Sequence, residues 1–372
     1  MKNIAAFIGL MSGTSIDSID VVAVTFAHKN LNLLGSYSHP MPAKLRAQVL
    51  SLSEPGQDDV QLLAETDHCL GKLFAEASLA LMTQLNLNSK DIVAIGSHGQ
   101  TIRHQPPGIK PGFSLQIGNP NQIAAVTGCS VIADFRRKDM AYGGQGAPLV
   151  PAFHREIFHH PDKTRVIINI GGISNITILD PSSGCRGFDT GPGNILLDAW
   201  CQKYTNSNYD DEGQWGATGL YNDALLTQLK NHNFFSRTGP KSTGREDFNL
   251  DWLEQQTHLF DLTPADIQAT LTLYTADTIA QSIADLAEPI DEIFVCGGGI
   301  FNLELIRRLN ESLLQRTMPA IHSTARLGLE PNWVEACAFA WLAKQRIDMK
   351  PGNVPAVTGA SRETILGCIY LP

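Results

Sequence analysis

Three glycine-rich turns carry the side chains in this sequence best suited to chemistry. The first is Met11-Ser12-Gly13-Thr14-Ser15-Ile16-Asp17-Ser18-Ile19-Asp20. The second is Phe188-Asp189-Thr190-Gly191-Pro192-Gly193-Asn194, and the third Cys296-Gly297-Gly298-Gly299-Ile300-Phe301-Asn302. Glycine lets backbone N–H groups approach an anion closely, and the hydroxyls of Thr14 and Ser15 add donors. The second and third turns run into helical patterns, and a helix N-terminus attracts phosphate. All three are candidate phosphate loops, although such turns also serve as plain connectors. A Walker A loop is absent, which disfavours a P-loop nucleotidase. Gly297 and Gly299 fit G-x-G-x-x-G, but Asn302 stands where its third glycine belongs. That counts against a dinucleotide site and a nicotinamide-dependent oxidoreductase.

The carboxylates in these turns are the sharper signal. A carboxylate such as Asp189 beside a bound triphosphate is repelled by it unless it has a task. Taking a proton from an attacking hydroxyl or water is such a task. The competing reading is an Asx-turn or cap that only fixes the loop. Asp17 and Asp20, in a hairpin turn, read as local hydrogen-bonding residues.

The elements that must hold these turns are legible as alternating periods. Ile4–Leu10 and Asp20–Phe26 read as strands flanking the first turn. Residues 43–52 and 59–85 have helical spacing, and 92–96 and 130–134 read as short buried strands. The pattern then restarts, with strands at 165–172 and 174–179 and a helix at 194–202. A long helical stretch spans 264–286, a strand 290–296, and helices 302–313 and 333–343; a strand returns at 364–371. Strand, glycine turn, strand and helices therefore occur twice over, which implies α/β layers. Two such units facing one another would form a ligand cleft.

Composition narrows the class. The 372 residues are 43% hydrophobic and 17% charged, enough for two folded domains. The formal net charge of -9, without clustered positive charge, disfavours a nucleic-acid partner. Apolar runs such as Ile4–Leu10 are too short to span a bilayer, and no secretory pattern opens the chain. The seven cysteines include no C-x-x-C and no zinc-site spacing. Reduced thiols in a cytoplasmic protein are the expectation.

Taken with further segments, these turns resemble the anhydro-N-acetylmuramic acid kinase family, bacterial sugar kinases of the actin-like ATPase superfamily. The resemblance is carried by Gly9–Ser15, Ser97–Thr101, Ala133–Asp139, Gly143–Pro151, Asn169–Asn175, Phe188–Asn194, Pro240–Glu246 and Val357–Ala360. It implies a two-domain actin-like (ribonuclease H-like) α/β fold with an interdomain cleft. The expected domains are 1–133 plus 355–372, and 134–354. It also implies hydrolytic opening of the 1,6-anhydro ring of anhydro-N-acetylmuramic acid by water, and phosphorylation of the released 6-oxygen from ATP with Mg2+. The product would be N-acetylmuramic acid 6-phosphate, in cell-wall recycling, with a homodimer as the family's habit. An actin-like ATPase acting as a regulatory or assembly module, without sugar chemistry, is the alternative.

By position Asp189 looks like the family's catalytic base, with Glu335 a second candidate for orienting the water. Nucleotide contacts are expected from Gly13, Thr14, Ser15, Ile16, Asp17, Ser18, Ile19 and Asp20, from Gly191, Gly193 and Asn194, and from Gly297, Gly298, Gly299 and Asn302. Substrate contacts are expected from His98, Gln100, Arg136 and Gly146. Arg136-Arg137-Lys138 is the one compact basic run, and thus a candidate site for the substrate's lactyl carboxylate. His98 and His104 flank a polar loop and read as packed or hydrogen-bonded histidines. The family usually has glycine where Ser18 stands. A positive φ there would strain serine by about 1 kcal/mol.

Overall fold

Ala6, Ile8 and Leu10 alternate with Phe7 and Gly9 along β1 (Ala6–Met11), so the two faces of this strand meet different neighbours. In the computed structural model, which describes residues 4–13, 15–27, 30–54, 56, 59–108, 111–237 and 241–372, the chain continues through β2 (Ser18–Ala27), β3 (Asn30–Pro40), α1 (Ala43–Ser53) and α2 (Val60–Gln84). Next come β4 (Ile92–Ser97), β5 (Gln100–Gln105), β6 (Phe113–Ile117), α3 (Pro120–Thr127), β7 (Val131–Ala133), α4 (Arg137–Ala141) and α5 (Val150–Phe158). A second series follows: β8 (Arg165–Ile170), β9 (Ile173–Asp180), β10 (Gly184–Pro192), α6 (Ile195–Thr205), α7 (Asp223–Lys230), α8 (Leu250–Thr257), α9 (Pro264–Ala284), β11 (Glu292–Cys296), α10 (Leu303–Gln315) and β12 (Ile321–Ser323). The chain closes with α11 (Val334–Ile347), α12 (Pro355–Thr358) and β13 (Cys368–Tyr370).

The chain divides into two compact units, residues 1–157 with 333–372, and residues 158–332. The expected boundaries after 133 and 354 are displaced. The reason is packing: α11 lies against β1 and β4 and so belongs to the first unit. Gly9 and Gly96 are register partners, and a Cβ on them would fall 1.9 Å from the Ala336 carbonyl oxygen and 2.1 Å from that of Phe339. Two opposed glycines thus let the α11 backbone rest directly on the sheet.

The first unit's sheet runs β13-β7-β4-β1-β2-β3, with β1–β2 and β2–β3 antiparallel and β1–β4 and β4–β7 parallel. The second unit's sheet runs β10-β9-β8-β11-β12 with the same pattern of directions. Numbered within each sheet, both share the order 3-2-1-4-5, and the first adds β13 antiparallel to β7 as a sixth, outer strand. This is the duplicated ribonuclease H-like arrangement of the actin-like ATPase fold. One face of the first sheet buries Ile8, Leu10, Ile19 and Val21 with Phe74 and Leu81 of α2. In the second unit Val166, Ile168, Ile170 and Val295 pack with Trp200, Tyr274 and Leu309 from α6, α9 and α10. Local signals support the long helices: Thr263 and Asp266 form a capping box at α9 with Pro264 at its start, and Asn302 caps α10. Among the described residues no helix is long and apolar enough to cross a membrane.

Candidate active site

The first turn links β1 to β2. Ser12 Oγ donates to Gln100 Oε1 at 2.7 Å, tying the turn to the start of β5. Ser15 Oγ donates to Asp17 Oδ1 at 2.6 Å, and both residues are exposed. Thr14 lies outside the described residues. Ile16 holds φ +55° and buries its side chain in the core, as does Ile19. The strain expected at Ser18 therefore resides at Ile16, since Ser18 is ordinary strand opposite Pro40. A β-branched residue in this conformation is an outlier that the surrounding packing must hold. Asp20 accepts from Ser38 Oγ at 2.8 Å, and burial raises its carboxyl above the usual range. An added Cβ at Gly13 meets nothing within 4 Å, so fold packing does not demand glycine there.

Next to this turn stand the four expected substrate residues. His98 follows β4, is 5% exposed, and its ring lies 4.7 Å from Phe339. Its Nε2 lies 2.9 Å from Arg136 Nη2 and 3.2 Å from Nε. Arginine only donates, so Nε2 accepts and Nδ1 carries the proton, which it donates to the Gly99 carbonyl at 2.8 Å. Burial first, and Arg136 second, push the imidazole down to about 3. Arg136 Nη1 donates to Gly146 O at 3.2 Å, so the guanidinium is gripped from both sides.

Asp139 builds the loop that carries Gly146. Fully buried, it accepts from Gly146 N at 2.9 Å, Asn353 Nδ2 at 2.7 Å and Thr358 Oγ1 at 2.8 Å. A Cβ on Gly144 would fall 2.1 Å from Asp139 Oδ2. Glu335 is half-buried in the first turn of α11, beside the Ala336 carbonyl that rests on Gly9.

In the second unit Asp189 sits near the end of the edge strand β10, 7% exposed. Its N–H donates to Lys241 O at 3.1 Å, and its Oδ2 accepts from Thr243 N at 2.9 Å. The register pairs Asp189 with Asn175, Asn175 with Asn169, and Asn169 with Cys296. Directly opposed residues share a face, so four strands present one polar row, opposite the face that packs on α6 and α9. Asn175 Oδ1 is buried and, among the described residues, has no hydrogen-bond partner. An unmet buried acceptor suits a ligand that donates. An added Cβ at Gly298 meets nothing within 4 Å, which leaves room for a ligand against the third turn.

A family model described as anhydro-N-acetylmuramic acid kinase matches residues 5–372. The chain belongs to the anhydro-N-acetylmuramic acid kinase family. Relatives of that name include proteins from Shewanella oneidensis (52% identical, 98% of each chain covered) and Shewanella loihica (50%, 98% of each). Another, from Coxiella burnetii, is 47% identical over 98% of this chain and 97% of its own. The protein is accordingly a phosphotransferase.

Within this kinase family frame several of the expected residues also have structural partners. The N–H groups of Gly193, Asn194 and Ile195 donate to the carbonyls of Gly171 and Gly172 at 2.8–3.1 Å. These three N–H groups, the first of α6 among them, are satisfied within the fold. Gly193 is required because a Cβ would fall 2.3 Å from Gly171 O. Gly191 is required by φ +134° and by Phe235, whose ring would lie 3.1 Å from a Cβ there. Gly297 and Gly299 abut Asn169 and Ile170, so they too serve packing. Asn302 uses its Oδ1 to cap α10 through Leu305 N at 2.9 Å. The basic run does not form one patch: Arg137 pairs with Asp134, while Arg136 turns to His98. His104 donates or accepts at Ser114 Oγ (2.9 Å) as a hydrogen-bonded histidine, and burial pushes it too down to about 3.

Ser12, Asp139 and Thr243 lie in segments the sequence singled out, but none was given a role there. Asp139 had a sequence signal, an acid four residues before the glycine-rich loop that starts at Gly143, but two of its partners lie 214 and 219 residues away.

Three outcomes follow for this site. Gly13→Ala and Gly298→Ala fold within about 0.5 kcal/mol of the parent and raise KM for ATP about tenfold, the equivalent of one lost hydrogen bond. Denaturation curves and initial rates check this, and an unchanged KM removes that glycine from the phosphate loops. His98→Phe keeps a ring against Phe339 but offers Arg136 no acceptor, so KM for the sugar rises about tenfold or more while KM for ATP stays fixed. The same variant reports pH linkage. Unfolded histidine titrates near 6.5 and folded His98 near 3. The unfolded chain takes up the proton first, so stability falls as pH drops below about 6.5. Between pH 7 and 5 the parent loses about 2 kcal/mol more than His98→Phe; parallel denaturation at the two pH values measures the difference, and equal losses contradict the assignment.

Proposed function

We propose that this kinase adds water across the 1,6-anhydro bridge of anhydro-N-acetylmuramic acid and phosphorylates the freed 6-oxygen from ATP, giving N-acetylmuramic acid 6-phosphate and ADP. The supporting observation is Asp189, a secluded carboxylate with one oxygen held by Thr243 N–H. It takes the proton of the water that attacks the anomeric carbon. The bridge oxygen leaves that carbon and bonds to the terminal phosphorus, and the bond from phosphorus to the ADP oxygen breaks. Glu335 orients the water. Arg136, set by His98 and Gly146, faces the lactyl carboxylate. The open backbone at Gly13 and Gly298 receives the phosphates. Among the described residues no cluster of three metal-ligating side chains occurs, so Mg2+ would rest mainly on phosphate oxygens and water. A reaction that draws on ATP and serves cell-wall recycling fits the cytoplasm.

The test is turnover in 18O-water with a short quench. One labelled oxygen at the anomeric position and none in the phosphoryl group is the expected result. Label in released inorganic phosphate, or ATP consumption indifferent to the sugar, overturns the reading and favours an ATPase module.

A further inference from the structure

The segment Pro240–Glu246 stood out in the sequence, yet the proposed reaction gives it no role. We infer that Thr243 is a positioning residue for Asp189, held in place through its hydroxyl by Asp247. The inference rests on the reading of Asp189 as the base.

β10 is the edge of its sheet, and the 241–243 backbone lies along that edge. It makes two contacts with one residue: Lys241 O accepts from Asp189 N at 3.1 Å, and Thr243 N donates to Asp189 Oδ2 at 2.9 Å. A carboxylate can otherwise rotate about its last torsion, which is broad and roughly two-fold. Fixing one oxygen fixes the plane in which the other meets a proton.

The strap is tied down at both ends. Lys241 Nζ sits 4.6 Å from the Phe234 ring centre and 5.7 Å from that of Phe188. On the other side Thr243 Oγ1 donates to Asp247 Oδ2 at 2.8 Å, and Asp247 faces Arg237 at 3.4 Å. Asp247 N and Phe248 N both donate to Gly244 O, closing a turn. Phe248 is fully buried among Phe234, Phe235 and Trp252. The Thr243 hydroxyl is therefore the link between a core-anchored turn and the N–H that holds Asp189.

Thr243→Val removes the hydroxyl and keeps the branched shape; Thr243→Ser keeps the hydroxyl and loses the methyl. With anhydro-sugar and ATP saturating, Thr243→Val lowers kcat about 30-fold, in the range a misplaced catalytic group gives, and leaves KM for ATP within about twofold. Thr243→Ser restores kcat to within about threefold of the parent. A purely structural role would track side-chain shape, making serine the worse replacement. Should Thr243→Val lower the melting temperature, Asp247→Ala removes the hydroxyl's acceptor instead and carries the same expectation. Parental kcat in the valine variant, or a serine variant as slow as valine, overturns the inference. Asp189→Asn run alongside separates the two levels: an inactive Asp189→Asn with an unaffected Thr243→Val sinks the strap alone, while an active Asp189→Asn sinks the base itself.

Discussion

Asp189→Asn lowers kcat for sugar phosphorylation about a thousandfold, the middle of the range for loss of a general base, and leaves nucleotide affinity unchanged. The amide is nearly the same size as the carboxyl, and its oxygen can still accept from Thr243 N. Neighbouring packing on β10 is preserved, so the melting temperature holds. What disappears is the ability to take a proton. Steady-state rates, with nucleotide affinity from calorimetry, measure the two effects separately. Turnover within tenfold of the parent would move the proton-accepting role elsewhere, with Glu335 the next residue to replace.

The second large effect is on stability. Gly9→Ala destabilises the protein by about 3 kcal/mol, the upper part of the range for overpacking a dense interior. The added methyl would fall 1.9 Å from the Ala336 carbonyl oxygen and 2.8 Å from Ala340 N, and backbone of a buried helix cannot swing aside as a side-chain tip can. Relief requires lifting the start of α11, which carries Glu335, so activity in the surviving folded fraction falls as well. Urea denaturation gives the stability change. Gly13→Ala, four residues along and unobstructed, is the internal control. Equal stability of the two variants would contradict the close approach of α11 to β1.

What the sequence disclosed depended on the range of the interaction. Strands such as 165–170 and helices such as 264–284 are local periodic patterns with their own caps, and their positions were readable. β3 was not, because Asn30–Pro40 is half-buried along most of its length and lacks clean alternation. The second turn had every local mark of a phosphate loop. The N–H groups of Gly193 and Asn194 also meet the carbonyls of Gly172 and Gly171, a tertiary contact that no local pattern announces. The same holds for the left-handed Ile16, where glycine would be the ordinary choice and core packing overrides it. The substrate-side residues were nameable one by one, yet the His98–Arg136–Gly146 chain appears only once β4, α4 and the following loop are assembled.

Residues 158–332 form one uninterrupted stretch, while the first unit is made of two pieces on either side of it. During synthesis on the ribosome the inserted half can emerge whole and condense before its host is complete. The host must wait for residues 333–372, because until α11 arrives the glycine trough formed by Gly9 and Gly96 lies bare, and β7 lacks its partner β13. Nascent chains of this architecture therefore pass through a stage in which the later-made half is finished and the first-made half is open, the period of greatest exposure to aggregation or to chaperones.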